Sequence, residues 1–365
     1  MAHWDDYPDE YRDREVRAIR RAAEAGDCVA VVGASGAGKS NLLGFLAQRA
    51  PAGPVRYVLV DGNRLVDANT AGYLRLLAHS LEPEAGRDGA ALDGLEKTVA
   101  RHLAATGGKL CFLLDLSTLT NRAGMPLRLE WAGLFGNLRA VRDAFKYRLS
   151  YVAATRHPLP ADNELAELFF GRVVVLGPLT AADAAWTVAR YAGRQGLDWP
   201  PETAEALVAL TGGYAALLRA ACEAHAEGAP VTLDGLAGHP AVARRAAEFW
   251  SDAPDETELR AAGLADIELL RRFGPRPVDT AQLTAKEHLL LNYLAARPEQ
   301  VCEKDELVKA VWPEDRIYER GVRDDSLAQL VRRLREKIEL DPARPRLVLT
   351  VPGRGYRYRS PAPTG

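Results

Sequence analysis

The sequence predicts a chain of two folded parts, a mixed α/β part followed by a smaller helical part that ends in a β-hairpin. The first observation is a series of short apolar runs that alternate with helical segments up to Pro178. The second is the loss of the strand signal after that residue, where 180–250 reads as helix throughout. The third is a change of pattern in 282–360, where three amphipathic helices precede two strands around a glycine-rich turn.

The apolar runs have the length and composition of buried strands. They are residues 28–32, 55–61, 109–115, 149–155 and 172–177. Apolar strands separated by helices are typical of a parallel sheet that is covered on both faces. We therefore expect an α/β fold with a five-stranded parallel sheet.

Composition shifts along the chain predict where these parts begin and end. Acidic and proline-rich joints, SDAPDE and FGPRPVD, flank one short helix and are typical of a connector between domains. We expect a sheet-containing core in 1–178, a helical segment in 179–252, a connector in 253–280 and a carboxy-terminal domain in 281–361.

The bulk composition excludes several classes of protein. The 365 residues carry a formal net charge of -2, so any surface that binds nucleic acid must be local. The four cysteines lie far apart without a C-x-x-C spacing, which argues against a structural zinc site or a disulfide framework. Because we find neither a signal-peptide pattern nor an apolar run of ~18 residues, we expect a cytoplasmic protein without a membrane partner.

A glycine-rich loop follows the first predicted strand. Residues 31–43 read VVGASGAGKSNLL, which contains the pattern G-x-x-x-x-G-K-[ST]. Glycines allow backbone N–H groups to surround phosphates, and the helix that follows points its positive end at them. A chance glycine loop is the alternative, and the order strand, loop, helix disfavours it. We expect ATP and Mg²⁺ to bind here through Gly33, Gly36, Gly38, Lys39, Ser40 and Asn41.

Two of these side chains are expected to contact the phosphates and the metal ion, and an aspartate from another strand is expected to share the metal ion. Lys39 should reach the β- and γ-phosphates, and the Ser40 hydroxyl should coordinate magnesium. Asp115 closes the apolar run KLCFLLD, so its carboxylate is expected to hold the same metal ion. The alternative for Asp115 is a strand-end aspartate that caps the next turn.

The first 230 residues or so resemble the AAA+ and STAND-type P-loop ATPases. The resemblance is carried by YRDREVRAIRRAAEAGDCVAVVGASGAGKS, with Asp13 where the family usually has glycine. It implies a sheet of order 5-1-4-3-2 with a helical lid. TGGYAALLRAA resembles the lid motif of the family, with Ala215 in place of its proline.

The same resemblance implies roles for further residues. Arg156 and Thr155 end the fourth strand, like the sensor that detects the γ-phosphate. Arg172 precedes the fifth strand, where many AAA+ proteins carry an arginine finger for a neighbour's ATP, so self-association is an expected property. A surface arginine or a salt bridge is the alternative for both arginines. Leu116 stands where fast ATPases carry a glutamate that activates water, and nothing local indicates that Glu130 replaces it. General-base catalysis contributes about 10²–10⁴-fold, so we expect slow ATP hydrolysis.

Residues 282–360 resemble the OmpR/PhoB-type winged-helix DNA-binding domain. The matching segments are LTAKEHLLLNYLA, VCEKDELVKAVW, SLAQLVRRLREKI and DPARPRLVLTVPGRGYRYRS, in that order. The resemblance implies a recognition helix at 325–339 in the major groove of duplex DNA and a wing at 350–359 that reaches the minor groove. The charged segment 313–325 corresponds to the one that contacts RNA polymerase in relatives, which makes the polymerase a candidate partner.

The charges of this region point to DNA independently. Residues 320–360 hold eleven Arg and Lys against five Asp and Glu. With Leu327, Val331, Leu334 and Ile338 on the apolar face, other helix residues face outward, and Arg354 between two glycines suits insertion into a minor groove. The expected DNA contacts are Gln329, Arg332, Arg333, Arg335, Arg354 and Arg357. The alternative is a solvated face in which the arginines pair with Glu336 or Asp341.

Two functions fit these patterns. The favoured one is a transcriptional regulator in which ATP binding or slow hydrolysis changes a conformation or an assembly that controls DNA binding. The alternative is an ATPase of the origin-recognition or loader type, whose hydrolysis is stimulated by DNA. The transcription-factor kind of winged helix favours the first. A metabolic P-loop kinase is a poor third, because it would leave the DNA-binding pattern unexplained.

Overall fold

A computed structural model of the chain describes the fold in two units. The units are Met1–Pro254 with Glu258–Glu268, and Asp255–Thr257 with Leu269–Gly365. The structure describes residues 4–49, 53–67, 69–83, 90–117, 133–158, 168–169, 172–252, 256–274, 282–312, 320–339, 342, 345 and 347–359. Within that part of the chain, no helix is long and apolar enough to cross a membrane.

The first unit is built on a parallel sheet of five strands. The strands are β1 (Val29–Val32), β2 (Val55–Val60), β3 (Lys109–Asp115), β4 (Leu149–Thr155) and β5 (Val173–Val175). Their order is β2-β3-β4-β1-β5, and all four pairings are parallel. Read from the other edge this is 5-1-4-3-2, so the predicted fold class and strand order are confirmed.

Helices cover the sheet. They are α1 (Asp13–Ala25), α2 (Lys39–Arg49), α3 (Thr70–Leu81), α4 (Ala91–Thr106) and α5 (Leu134–Phe145). Every residue of β4 is buried, and so are the five inner residues of β3, because both strands have a neighbour on each side. The core between strands and helices contains Phe112 and Tyr151, whose hydroxyl donates to the Leu138 carbonyl at 2.9 Å.

A helical segment follows the sheet. Its helices are α6 (Ala181–Gln195), α7 (Pro201–Thr211), α8 (Ala215–Ala226), α9 (Leu233–Ala237) and α10 (Pro240–Ser251). Local signals explain their ends. The Thr180 side chain accepts from the Asp183 N–H at the start of α6, and Gly196 and Gly212 end α6 and α7 in the left-handed conformation. Two short helices, α11 (Glu256–Ala261) and α12 (Glu268–Arg271), come next along the chain.

The second unit has three longer helices and a small antiparallel sheet. They are α13 (Ala285–Ala295), α14 (Lys304–Val311), α15 (Arg320–Ile338), β6 (Val301–Glu303), β7 (Val348–Val351) and β8 (Gly355–Tyr358). The sheet order is β6-β8-β7. The predicted hairpin is present as β7 and β8, whereas β6 was not predicted because three residues carry too little pattern.

The longest helix of this unit differs from expectation in two respects. It begins at Arg320, earlier than the predicted 325. Leu330 is buried with the four predicted apolar residues, so the apolar face of α15 is wider than the sequence pattern suggested. An ion pair joins α15 to α13, because Lys337 Nζ lies 2.6 Å from a carboxylate oxygen of Glu287, whose side chain is buried.

Candidate nucleotide site and candidate nucleic-acid interface

The phosphate loop lies between the end of β1 and the start of α2. Gly36 has φ 91° and Gly38 has φ 96°, values that side chains rarely allow. A Cβ at Gly36 would also lie 2.5 Å from the Cβ of Ala216. Glycine is therefore required at position 36 for two reasons, backbone conformation and close approach of the neighbouring helix. The loop has the form that lets backbone N–H groups face an anion.

Lys39 begins α2 and is buried. Its ammonium group donates to the carbonyl oxygens of Gly33 at 2.5 Å and Ala34 at 3.1 Å. Burial lowers the pKa of Lys39 to about 8, although the carboxylates of Asp115 and Asp252 act in the opposite direction. The side chain is therefore desolvated, and an incoming phosphate would restore an ionic partner to it.

The side chains of Ser40 and Asp115, the two predicted magnesium ligands, contact each other. The Ser40 hydroxyl donates to Asp115 Oδ2 at 2.6 Å, and the other carboxylate oxygen accepts the Ser117 N–H at 3.1 Å. The aspartate thus caps the turn after β3 as well. Mg²⁺ takes few protein ligands and completes its shell with water and phosphate oxygens, so these two oxygen donors fit the ion. No cluster of three or more metal-ligating His, Cys, Asp or Glu residues occurs in the described residues.

Asn41 has a different partner. Its side-chain amide donates to the Tyr7 hydroxyl at 3.1 Å, which connects the start of α2 to the amino-terminal segment. The structure thus brings Gly33, Gly36, Gly38, Lys39 and Ser40 together around one loop with Asp115, while the Asn41 amide is engaged elsewhere.

Arg156 lies beside the phosphate loop and is held by an aspartate that the sequence did not indicate. Its Nη1 donates to Asp252 Oδ1 at 2.8 Å, and Asp252 Oδ2 accepts the backbone N–H of Ser35 at 2.7 Å. Only 2% of the Asp252 side chain is exposed. The pairing was missed because Asp252 is 217 residues from Ser35 along the chain, and no motif contains it.

Arg172 lies at the opposite end of the sheet strands. It precedes β5, whereas the phosphate loop follows the last residue of β1, and its Nε lies 3.4 Å from Asp27 Oδ2. The side chain is 59% exposed. The structure does not bring it to the phosphate loop of its own chain, so a role at a neighbour's site stays a prediction. Glu130 lies outside the described residues.

The start of α8 contacts the phosphate loop directly. The Ala216 N–H donates to the Gly36 carbonyl at 3.1 Å, and the Tyr214 hydroxyl donates to the Ser35 carbonyl. Burial raises the pKa of Tyr214, which keeps this hydroxyl protonated as a donor. Because Ala215 stands where the resembling family has proline, the helix starts with small residues that approach the loop closely.

Arg12 is a second residue that the sequence did not indicate. It is 2% exposed and has a left-handed backbone with φ 48°. Its guanidinium donates to the carbonyls of Ala37 at 2.9 Å and Gly177 at 3.1 Å, and its backbone N–H donates to Asp183 Oδ2 at 3.3 Å. The side chain of Arg12 therefore connects the phosphate loop to the end of the sheet, and its backbone N–H adds a contact with the first helix of the helical segment.

The second unit presents part of the predicted DNA contacts on its surface. Gln329, Arg332 and Arg333 are exposed on α15. Arg332 donates from Nε to Glu336 at 3.1 Å, which is the pairing that the alternative interpretation named. Arg354 is exposed at the tip of the hairpin, where Gly353 has φ 73° and the Arg354 N–H closes the turn to Val351.

Arg335 and Arg357 have partners within the unit. Arg335 donates from Nε and Nη2 to the Val348 carbonyl at 2.9 and 2.7 Å, and from Nη2 to Thr350 Oγ1 at 2.8 Å. These contacts hold β7 against α15, so the geometry favours a positioning role for Arg335. Arg357 lies on β8 with its Nε 3.9 Å from a carboxylate oxygen of Glu299. Residues 313–319, the larger part of the predicted polymerase segment, lie outside the described residues.

Comparison with known families agrees with the form of the second unit. Residues 279–358 match the family model described as "Transcriptional regulatory protein, C terminal". This is the OmpR/PhoB-type winged-helix domain that the sequence resembles, and the observed helices and hairpin agree with it.

Curated relatives match the chain over part of their length. The DNA-binding response regulator MtrA of Mycolicibacterium smegmatis is 35% identical over 124 residues, which are 33% of this chain and 51% of that protein. The uncharacterized transcriptional regulatory protein YcbL of Bacillus subtilis is 30% identical over 122 residues, 32% of this chain and 50% of that protein. The chain spans about half the length of these relatives.

Solved structures with a similar chain path have low sequence identity. The ORC2 protein of Aeropyrum pernix is 16% identical with a TM-score of 0.44 and covers 96% of this chain and 89% of that one. CDC6P of Pyrobaculum aerophilum is 13% identical with a TM-score of 0.44 and covers 100% and 93%. The fold assignment of the first unit rests on its own strand order and phosphate loop.

Proposed function

We propose that the chain is a DNA-binding transcriptional regulator in which binding or slow hydrolysis of ATP with magnesium controls how the winged helix contacts duplex DNA. The observation that carries the proposal is the presence in one chain of a complete phosphate loop, with Ser40 paired to Asp115, and a domain that matches a transcriptional regulator family. A nucleotide can act on DNA binding only through its different affinity for two states of the protein.

The nucleotide part of the proposal is supported by the residues of the loop. The N–H groups of residues 33–40 would surround the phosphates, and Lys39 would supply a positive charge to them. Ser40 and Asp115 would hold magnesium, which when bound neutralises charge on the phosphate oxygens. The amino terminus of α2, where the helix dipole is positive, would add to the positive potential around the phosphates.

The rate expected of such a site is low. Leu116 is fully buried and follows Asp115 directly, and its N–H donates to the Ala154 carbonyl at 2.9 Å. No carboxylate is therefore available at this position to take a proton from water. A site that binds ATP tightly and turns it over slowly suits a switch better than a motor.

The DNA part of the proposal uses the exposed side chains of the second unit. Arg332, Arg333 and Gln329 on α15 would face the major groove, where Arg pairs with guanine and Gln with adenine. Arg354 at the hairpin tip would enter the adjacent minor groove. Arg335 would hold the hairpin in place, and Arg357 would contact the sugar-phosphate backbone of the DNA.

Further partners belong to the proposal as well. Because Arg172 lies away from its own phosphate loop, an arginine-finger role requires self-association through the first unit. The exposed valines Val173 and Val175 on β5 lie beside it. Contact with RNA polymerase through 313–325 and a cytoplasmic location follow from a role in transcription.

The proposal is tested by two measurements on the full chain. Steady-state ATP hydrolysis is measured with and without duplex DNA, beside Lys39→Ala. Turnover below about one per second, little changed by DNA, supports a switch. DNA affinity is then measured in a non-hydrolysable ATP analogue, in ADP and without nucleotide, and equal affinity in all three overturns the proposal.

The same measurements examine the alternative, an ATPase that works on DNA. Strong stimulation of hydrolysis by DNA, lost in Arg172→Ala and restored by mixing that variant with Lys39→Ala, would establish an assembled ATPase. In such a mixture the first variant supplies an intact phosphate loop and the second supplies the arginine.

A further inference from the structure

The carboxylate of Asp252 lies against the phosphate loop, among groups that attract negative charge. Its two carboxylate oxygens have separate partners, the backbone N–H of Ser35 at 2.7 Å and the guanidinium of Arg156 at 2.8 Å. The side chain is 2% exposed, so neither contact is a loose surface interaction. A buried carboxylate is stable only with such charge-assisted hydrogen bonds.

These partners are the kinds of group that bind phosphate. The N–H groups of a phosphate loop donate hydrogen bonds to anions, and an arginine beside them adds a planar, positively charged donor. The carboxylate also acts on the ammonium group of Lys39, where it opposes the effect of burial on the pKa of that residue. Two donors therefore contact Asp252, and the positive charge of Lys39 acts on the same carboxylate.

The position of Asp252 along the loop indicates which phosphate it resembles. Ser40, which would hold magnesium, lies at the helix end of the loop, and Ser35 lies near the strand end. The lysine between them reaches the β- and γ-phosphates. Arg156 directly follows the last residue of β4, where the resemblance implies a residue that detects the γ-phosphate. The N–H of Ser35 and the guanidinium of Arg156, which both contact Asp252, would then be the donors nearest to a terminal phosphate.

We propose that Asp252 occupies the place of the γ-phosphate in the absence of nucleotide, and that ATP but not ADP displaces it. This inference rests on the proposed function, because it describes how the same site is regulated. A diphosphate leaves the carboxylate on Ser35 and Arg156, whereas a triphosphate brings a second anion to the same donors. Two anions of this kind cannot share the place, because their charges repel.

Displacement of Asp252 has a direct structural consequence. Asp252 follows the last residue of α10. The aromatic rings of the neighbouring Phe249 and Trp250 pack edge to face, with their centroids 5.2 Å apart. Phe249 in turn contacts Tyr214, whose hydroxyl donates to the Ser35 carbonyl. A change at Asp252 therefore moves the end of α10, where the chain leaves the helical segment and enters the predicted connector at 253–280.

The test compares nucleotide affinities in the absence of DNA. Asp252→Asn removes the charge with little change of shape, and Asp252→Ala removes the side chain. Affinity for a non-hydrolysable ATP analogue should rise about tenfold in both variants, because a charged hydrogen-bonding competitor is lost. Affinity for ADP should change less than twofold. Glu248→Gln is the matched control, since it removes an exposed carboxylate from the same helix and should change neither value.

Either of two results would overturn the proposal, namely weaker binding of the ATP analogue to both variants or unchanged binding. If the variants fail to fold, the wild-type chain still gives an answer through Trp250, identified with Trp250→Phe. The fluorescence of Trp250 should change when the ATP analogue binds and not when ADP binds. An equal change with both nucleotides would contradict the proposal. Because DNA is absent, failure of nucleotide control over DNA binding would leave these results unaffected.

Discussion

The hydroxyl of Ser40 donates to Asp115 Oδ2 at 2.6 Å, although 75 residues separate the two along the chain. The contact joins the start of α2 to the end of β3 and brings two oxygen donors to one point beside the phosphate loop. Oxygen donors of this kind suit Mg²⁺, which keeps several of its ligands from water and phosphate.

Asp115→Asn should therefore reduce the dependence of ATP affinity on magnesium. In the wild-type chain, removal of Mg²⁺ with EDTA should weaken ATP binding about tenfold or more, whereas the variant should bind weakly in both conditions. Calorimetric titration with and without Mg²⁺ measures the effect. Asp27→Asn is the control, because Asp27 pairs with Arg172 at the other end of the strands. If ATP binding to the Asp115 variant depended on magnesium as strongly as in the wild-type chain, Asp115 would not be a magnesium ligand.

Nucleotide affinity should fall at alkaline pH through Lys39. In the free protein the pKa of Lys39 is about 8, because burial disfavours its charge. Bound phosphate raises that pKa, so above pH 8 the complex holds more protons than the free protein and binding takes up a proton. The dissociation constant should increase by up to tenfold per pH unit above about 8 and stay nearly constant below 7.

Calorimetry at pH 9 in two buffers of different ionisation enthalpy measures this proton uptake. The control is the same titration at pH 6.5, where Lys39 is charged in both states and contributes no uptake. Equal heats in the two buffers at pH 9 would show that Lys39 keeps its proton in the free protein.

Arg335 should contribute to stability, unlike its exposed neighbours on α15. Its guanidinium donates three hydrogen bonds to β7, two of them to the Val348 carbonyl. Arg335→Ala should destabilise the second unit by about 1–3 kcal/mol, because hydrogen bonds from a charged group to a partly buried acceptor are lost. Urea unfolding measures the change. Arg333→Ala is the matched control, and an equal midpoint for both variants would contradict the positioning role.

Arg333 and Arg354 should contribute to DNA affinity without contributing to stability. If Arg333 contacts phosphate, Arg333→Ala weakens binding on all sequences and lowers the slope of log affinity against log salt by about 1. If Arg354 enters the minor groove, Arg354→Ala reduces affinity most on A·T-rich flanks. Fluorescence anisotropy over a salt series checks both. Asp305→Asn, an exposed change on α14, is the control, and unchanged DNA affinity in both arginine variants would contradict α15 and the hairpin as the interface.

Some features of this protein follow from its sequence because their causes are local. The strand runs of 109–115 and 149–155 agree with the observed strands residue for residue, since buried parallel strands are apolar on both faces. The phosphate loop is specified by a few adjacent residues, above all the glycines that adopt positive φ. The hairpin around Gly353 is specified in the same way.

Other features were decided by the tertiary structure. Asp252 belongs to no motif, and the segments that contain Tyr214 and Arg12 gave these two residues no expected role. Their contacts with the phosphate loop exist only because the fold brings together segments that are distant along the sequence. The sequence pattern also could not distinguish Arg335, which holds the hairpin, from exposed Arg332 and Arg333, since all three are arginines on one helix. Residue type and spacing thus determined the sheet, the loop and the winged helix. Long-range packing decided which charged groups meet, because their partners depend on distances in space that local periodicity does not contain.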